Sequence, residues 1–109
     1  MDDFASVFQR TDIHAVVLAT PAETHEPLAL QALAAGKDVL VEKPMALNHQ
    51  QGLRMHEAAE KAGRILMVGH LLEFHPAVLK LRELLAGGEL GRVNYIYSNR
   101  LNFGKIRTE

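Results

Sequence analysis

An α/β fold on a parallel sheet is the class this sequence predicts, and three observations predict it. The apolar runs Val16-Val17-Leu18, Val39-Leu40-Val41 and Ile65-Leu66-Met67-Val68 are continuous rather than alternating, the pattern of strands buried on both faces. A segment with helical spacing of apolar residues follows each run. Glycines then close those segments, at Gly36, Gly63 and Gly87-Gly88, as glycine commonly does at a helix C-terminus. Strand and helix in strict alternation imply parallel strands and right-handed crossovers, in the order β-α-β-α-β-α.

Residues 3–10 suit a short helix with Phe4, Val7 and Phe8 on one side. The first strand, residues 15–19, is stopped by Thr20-Pro21. A helix over 26–35 follows, with Pro27 in its first turn and Leu28, Ala32 and Leu33 on one face; Gly36 takes the C′ position. The second strand covers 38–42. Asn48 is the expected N-cap of a helix that runs to Ala62 and is closed by Gly63. Residues 65–68 form the third strand, and Pro76 opens a last helix that aligns Val78, Leu81 and Leu85 and ends at Gly87-Gly88. From Arg92 the pattern changes. Residues 93–99 alternate apolar and polar side chains, as a half-exposed strand entering a different, antiparallel sheet would.

Composition narrows the function classes. At 109 residues there is room for one modest core, so the chain is one domain or part of one. Hydrophobic residues at 48% and charged residues at 23% are ordinary for a folded domain and argue against disorder. Twelve Lys+Arg against thirteen Asp+Glu, a net charge of -1, give no footprint for duplex nucleic acid or an anionic membrane. The absence of cysteine excludes disulfides, thiolate catalysis and cysteine-held metals. Apolar stretches fall well short of the roughly 20 residues that cross a bilayer. Met1-Asp2-Asp3-Phe4 lacks the basic start of a secretory signal, so the expected location is cytoplasmic.

Parallel strands all point one way, and ligands of such sheets bind beyond the carboxyl ends. The loops after the three strands therefore share a rim, which gathers Thr20, Pro21, His25, Glu42, Lys43, Pro44 and His70. Lys43 is the candidate for proton handling, because desolvation or a cationic neighbour moves a lysine towards neutral titration. The bond to Pro44 restricts its backbone to an extended form. The bland alternative is a solvated surface lysine. Glu42 has three open readings: it keeps Lys43 charged, it binds a ribose hydroxyl, or it is an ordinary exposed carboxylate. Thr20-Pro21 is either a strand stop or a place where a flat cofactor approaches the backbone closely. His70, at a strand end, has the best position of the histidines, although a purely structural role fits as well. Arg100, Lys105 and Arg107 suit a grip on an anionic substrate, or are scattered solvated cations. No histidine or carboxylate cluster has metal-ligand spacing.

Three strands are few for an open doubly wound sheet, which normally has about five or six. No G-x-G-x-x-G follows a strand, and the glycine cluster at residues 87–91 follows a helix and reads as a turn.

Three blocks together resemble the Gfo/Idh/MocA family of NAD(P)-dependent oxidoreductases: Val16-Val17-Leu18-Ala19-Thr20-Pro21-Ala22-Glu23-Thr24-His25, then Gly36-Lys37-Asp38-Val39-Leu40-Val41-Glu42-Lys43-Pro44, then Val68-Gly69-His70. The spacing between them fits too, and the resemblance covers essentially the whole chain. The tail Tyr95-Ile96-Tyr97-Ser98-Asn99-Arg100-Leu101-Asn102 resembles members that oxidise the sugar 3-hydroxyl of UDP-N-acetylglucosamine-type nucleotide sugars. The implied fold is the second half of a Rossmann-type parallel sheet plus the first strand of a second, mostly antiparallel domain. Residues 1–90 would be a partial dinucleotide-binding domain without its glycine-rich first βαβ unit, and 91–109 the start of the C-terminal α/β substrate domain.

The resemblance also implies roles. Thr20 and Pro21 would line the nicotinamide side of a site for NAD or NADP, with His25 nearby. Glu42 would contact the nicotinamide ribose or support the lysine. Lys43 would hydrogen-bond the reacting hydroxyl, with Pro44, often cis in the family, setting its direction. His70 would face the active-site cleft, and Asn99 and Arg100 would begin the second domain near a nucleotide-sugar substrate. The family's glycine-rich pyrophosphate loop, its acidic ribose-binding residue and its downstream Asp-x-x-x-His pair have no counterpart here. The chain is therefore expected to be the middle segment of such an enzyme, inactive alone. Its missing strands would leave an unpaired edge and uncovered apolar positions, such as those on residues 15–18, so the isolated chain is expected to be a homo-oligomer or poorly soluble. Two alternatives stand beside this reading: a truncated or degenerate non-catalytic homologue that acts as a binding module, and an unrelated flavodoxin-like domain.

Overall fold

A computed structural model describes residues 4–99, 101 and 104. The elements, in chain order, are helix α1 (Phe4–Gln9), strand β1 (Ala15–Leu18), helix α2 (His25–Ala34), strand β2 (Asp38–Val41), helix α3 (His49–Ala62), strand β3 (Leu66–Val68) and helix α4 (Pro76–Ala86). Short 3-10 turns at Ala22–Thr24 and Leu71–Phe74 follow β1 and β3. The chain divides into two compact units, residues 1–72 and 73–109.

In the first unit the three strands are all parallel, in the order β1-β2-β3. Register is set by the pairs Leu18↔Val41 and Val41↔Val68, so the three strands stop level with one another. Successive side chains of a strand point to opposite faces. Leu18, Val39 and Val41 turn to the face that the helices cover. There they pack with Leu28, Ala29, Ala32 and Leu33 of α2, Met55 and Ala59 of α3, and Phe8 of α1. Three alanines at these contacts let the helix axes come close, and each fully buried aliphatic side chain contributes roughly 1.5–3 kcal/mol.

The opposite face differs from the pattern of strands buried on both sides, and shows the uncovered apolar positions expected on residues 15–18. Val17 is 68% exposed and Met67 42%, because no described residue of this unit lies over that face. The continuous apolar runs thus describe a sheet that is covered here on one side only.

Helix ends follow the local chemistry. Asn48 Oδ1 accepts the N–H of Gln51 at 3.0 Å, and Gln51 Oε1 reaches back to the N–H of Leu47 at 3.0 Å, so two otherwise orphaned donors are satisfied. At the other end Gly63 has φ 61; Arg64 N–H donates to Ala59 carbonyl and Gly63 N–H to Glu60 carbonyl. This is the Schellman arrangement. The same pair of bonds closes α2 at Gly36 and α4 at Gly88. The buried Lys37 donates to the carbonyl of Arg10 at 2.6 Å, tying the chain after α2 to the chain after α1. Asp38 Oδ1 accepts the N–H of Ile65 at 2.9 Å, just ahead of β3.

In the second unit Pro76 is the first residue of α4, as expected, and His75 is its cap, with Nδ1 accepting the N–H of Ala77 at 3.2 Å. An apolar groove of about 350 Å³ lies along α4, lined by Leu81, Leu85, Leu90 and Val93 among others. The strand expected over 93–99 does not form: those residues have no regular secondary structure. A strand exists only as half of a pairing, and no partner strand is present among the described residues of this unit. Among the described residues no helix is long and apolar enough to cross a membrane.

Three substitutions in α3 separate these effects. Asn48→Ala loses the cap, and Gly63→Ala forces a side chain into the left-handed region, so each should cost about 1 kcal/mol. Gly52 sits inside the helix with open space where a Cβ would stand. Gly52→Ala should therefore stabilise by about 0.5–1 kcal/mol. Urea unfolding of the three variants checks both signs.

Candidate functional site

The level strand ends fix the site. Thr20, Lys43 and His70 each stand two residues beyond the last paired positions, Leu18, Val41 and Val68. The ladder continues one step into the loops, since Glu42 N–H donates to Leu18 carbonyl and Gly69 N–H to Val41 carbonyl, both at 2.9 Å. The three predicted loops therefore do open on one rim.

The first loop is folded on itself. Thr24 Oγ1 lies 2.7 Å from the Pro21 carbonyl and 2.6 Å from Thr20 Oγ1. One hydroxyl proton serves the carbonyl, and the Thr20 hydroxyl then donates to Thr24. Thr24 N–H also donates to Pro21 carbonyl at 2.9 Å. Pro21 is exposed and Thr20 half-buried, so the loop presents a small polar side chain and a flat ring to the rim. His25 begins α2 and is only 1% exposed. Its Nδ1 is 2.9 Å from the Pro44 carbonyl and its Nε2 2.9 Å from the Thr20 carbonyl. Both ring nitrogens are thus occupied by protein, which the sequence did not reveal. Glu26, the next residue, accepts a hydrogen bond from Arg54 Nε of α3 at 2.6 Å, which raises that guanidinium's pKa above its ordinary value.

The second loop carries Glu42, Lys43 and Pro44. The Lys43-Pro44 bond is cis. Glu42 is half-buried and folds back so that Oε2 accepts the N–H of Lys43 at 3.1 Å. The carboxylate lies against Gly69, where an added Cβ would stand 3.1 Å from Oε1. Gly69 therefore lets the end of β3 approach the carboxylate, a second feature that sequence patterning did not reveal. Lys43 is exposed, and its ammonium has no hydrogen bond or ion pair among the described residues. His70 is exposed at the third strand end.

Asn99 is exposed in the second unit, and Arg100 lies outside the described residues, as do Lys105 and Arg107. A groove of about 510 Å³ runs between α3 and β3, lined by Met45, Leu53, His56, Leu66 and Val68 among others. It includes neither Thr20 nor Lys43, so it is separate from the rim cluster.

The rim suits one half of a dinucleotide. A half-buried carboxylate is an acceptor for ribose hydroxyls, and Thr20-Pro21 offers a flat approach for a ring, both at the strand ends where such ligands bind. A glycine-rich strand-to-helix turn, which would seat a pyrophosphate, is absent from the described residues.

Comparison with known proteins agrees with this geometry. Residues 1–70 match the family described as "Oxidoreductase family, NAD-binding Rossmann fold" (Gfo/Idh/MocA). Inositol 2-dehydrogenase 4 of Saccharopolyspora erythraea is 44% identical over 91 residues, which cover 83% of this chain and 27% of that protein. A 1-carboxy-3-chloro-3,4-dihydroxycyclo hexa-1,5-diene dehydrogenase of Comamonas testosteroni is 41% identical over 96 residues, covering 88% and 24%. Among solved structures, an NAD binding oxidoreductase from Klebsiella pneumoniae superposes with a TM-score of 0.76 at 34% identity, over 84% of this chain and 24% of that one. A 3-ketoreductase from Actinomadura kijaniata, in complex with NADP and TDP-benzene, gives 0.74 at 31% identity, over 81% and 27%. The chain spans about a quarter of the length of these relatives.

Gly69→Ala tests the approach to Glu42. The clashing atoms are the far end of a flexible side chain, so stability should change by less than about 0.5 kcal/mol. The carboxylate should swing away and release the Lys43 N–H, seen as a shifted Lys43 amide signal in an NMR spectrum.

Proposed function

This chain belongs to the Gfo/Idh/MocA oxidoreductase family, and from that premise we propose that it forms the nicotinamide-side half of an active site that oxidises a hydroxyl on a sugar or polyol. What carries the reading is the register that sets Lys43 between Thr20 and His70 on the rim. Oxidation takes a hydride from the carbon and a proton from the hydroxyl. Bound NAD or NADP supplies the hydride acceptor. The side chains here do the rest. Thr20 and Pro21 flank the nicotinamide, and Glu42 accepts from the adjoining ribose. The Lys43 ammonium, unengaged by other residues described here, donates to the substrate oxygen and stabilises the alkoxide as it develops. A histidine outside this chain takes the proton, as the family resemblance implies. His70 faces the same cleft.

The names of the relatives favour a polyol or sugar-like substrate. The finer reading is a UDP-sugar, with Asn99 and Arg100 near it. The pattern of the tail supports it, as does the nucleotide-bearing ligand of the ketoreductase. Residues 1–90 are then part of the dinucleotide-binding domain and 91–109 the start of the substrate domain. The exposed sheet face at Val17 and Met67, with an open strand edge beside it, favours a homo-oligomer in a cytoplasmic setting.

The test is kinetic, on the full-length protein with NAD and inositol or a UDP-sugar. Lys43→Ala should lower kcat by about 10²–10⁴-fold while cofactor affinity changes little. Lys43→Arg should not restore it, since a guanidinium is wider and planar and spreads its charge where an ammonium concentrates it. A near-normal kcat in Lys43→Ala would remove Lys43 from the mechanism.

A further inference from the structure

The catalytic reading leaves His25 without a task, although it is the most enclosed ionisable side chain of the first unit. Its ring joins two different loops, the one after β1 through the Thr20 carbonyl and the one after β2 through the Pro44 carbonyl. Both partners are carbonyl oxygens, which only accept. A neutral imidazole carries one N–H, so it can satisfy one of them and sets a lone pair against the other at 2.9 Å. An imidazolium carries two N–H groups and satisfies both. Among the described residues neither nitrogen has another hydrogen-bond partner, so the number of ring protons decides how many loops the ring can hold.

The surroundings bear on that proton. Neither α1 nor β1 carries an ionisable side chain, as their sequences FASVFQ and AVVL show. Glu23 sits on the 3-10 turn just before the ring, and Glu26 just after it is engaged by Arg54 of α3. Glu42 and Lys43 follow β2 in the loop that meets the ring.

We propose that His25 is a positioning residue: its doubly donating ring ties the loop that presents Lys43 to the loop that carries Thr20 and Pro21, and the tie is complete only while both ring nitrogens hold a proton. The proposal rests on the reading of Lys43 and Thr20 as two sides of one site. It adds that, beyond the strand ends that set their level, the two loops are held together by a proton on a buried ring. A single-proton ring would leave one loop free to shift, so the substrate-facing amine and the cofactor-facing threonine would lose their common reference.

The experiment is NMR on this chain with nitrogen-15 histidine and backbone labels. The other five histidines, His14, His49, His56, His70 and His75, are all exposed and serve as internal controls. As pH is varied through the folded range, the expected result is one midpoint for the two ring nitrogens of His25 and for the backbone amides of Thr20, Lys43 and Met45. A ring that changes its proton count while those amides stay still would overturn the proposal. A ring that keeps one bare nitrogen at every pH in that range would overturn it too. As a second variant, His25→Phe keeps the bulk and removes both donors; the Lys43 and Met45 amides should then exchange with solvent at least about tenfold faster. Unchanged exchange in a folded His25→Phe chain would count against the clamp, and if that variant fails to fold, the wild-type titration decides. These readouts need no turnover. Loss of the Lys43 role would therefore leave them standing, and loss of the clamp would leave the Lys43 kinetics standing.

Discussion

Everything at this site depends on one constraint, the parallel ladder that stops at the same level in three strands. Had β2 been shifted by one residue against β1, the alternation of side chains would have turned Val39 and Val41 out of the core and Leu40 into it. The buried side chains of α2 and α3 pack on Leu18, Val39 and Val41, the side chains that the observed register turns inward. The same packing that buries Val41 therefore sets Lys43 two residues beyond it, level with Thr20 and His70. Burial does the positioning, and the chemistry uses the result.

The strand ends alone give coarse placement. The finer placement comes from polar bonds between loops, which act where the ladder has run out. Glu42 is drawn back onto the Lys43 N–H and lies against Gly69, so its carboxylate stays near the rim rather than in open solvent. The Thr20 carbonyl and the Pro44 carbonyl meet at one imidazole. Buried backbone carbonyls need donors, and here the carbonyls of two loops converge on one side chain.

Much of this was legible from residues alone, and the reason is that it was local or periodic. The strands, the Asn48 cap and the glycine stops each depend on neighbours in the chain, so their signals sit close together in it. The common rim followed from strand direction. What stayed hidden depended on pairs distant in sequence. Nothing near Gly69 says that its missing Cβ makes room for Glu42, and nothing near His25 says that the Pro44 carbonyl will meet its ring nitrogen. The one element predicted but not formed, a strand over 93–99, shows the same limit. Alternating side chains describe a surface that suits a sheet, and pairing still requires a second strand beside it.

The uncovered sheet face and the half-built dinucleotide rim have the same physical origin. A doubly wound sheet buries its strands by laying helices on both faces, and its ligand sits where loops from both halves converge. With the helices of the first unit on one face only, Val17 is left to solvent, and among the described residues the rim offers acceptors for a ribose but no glycine-rich turn of N–H groups for a pyrophosphate. The apolar runs of β1 and β3 suit a cover on both sides, and the strand ends offer a rim that suits one half of a dinucleotide. Both mismatches point the same way, and both agree with a chain that matches about a quarter of its relatives' length. The sequence of a strand thus carries information about the cover it suits, because a side chain is suited to its neighbours whether or not they are present.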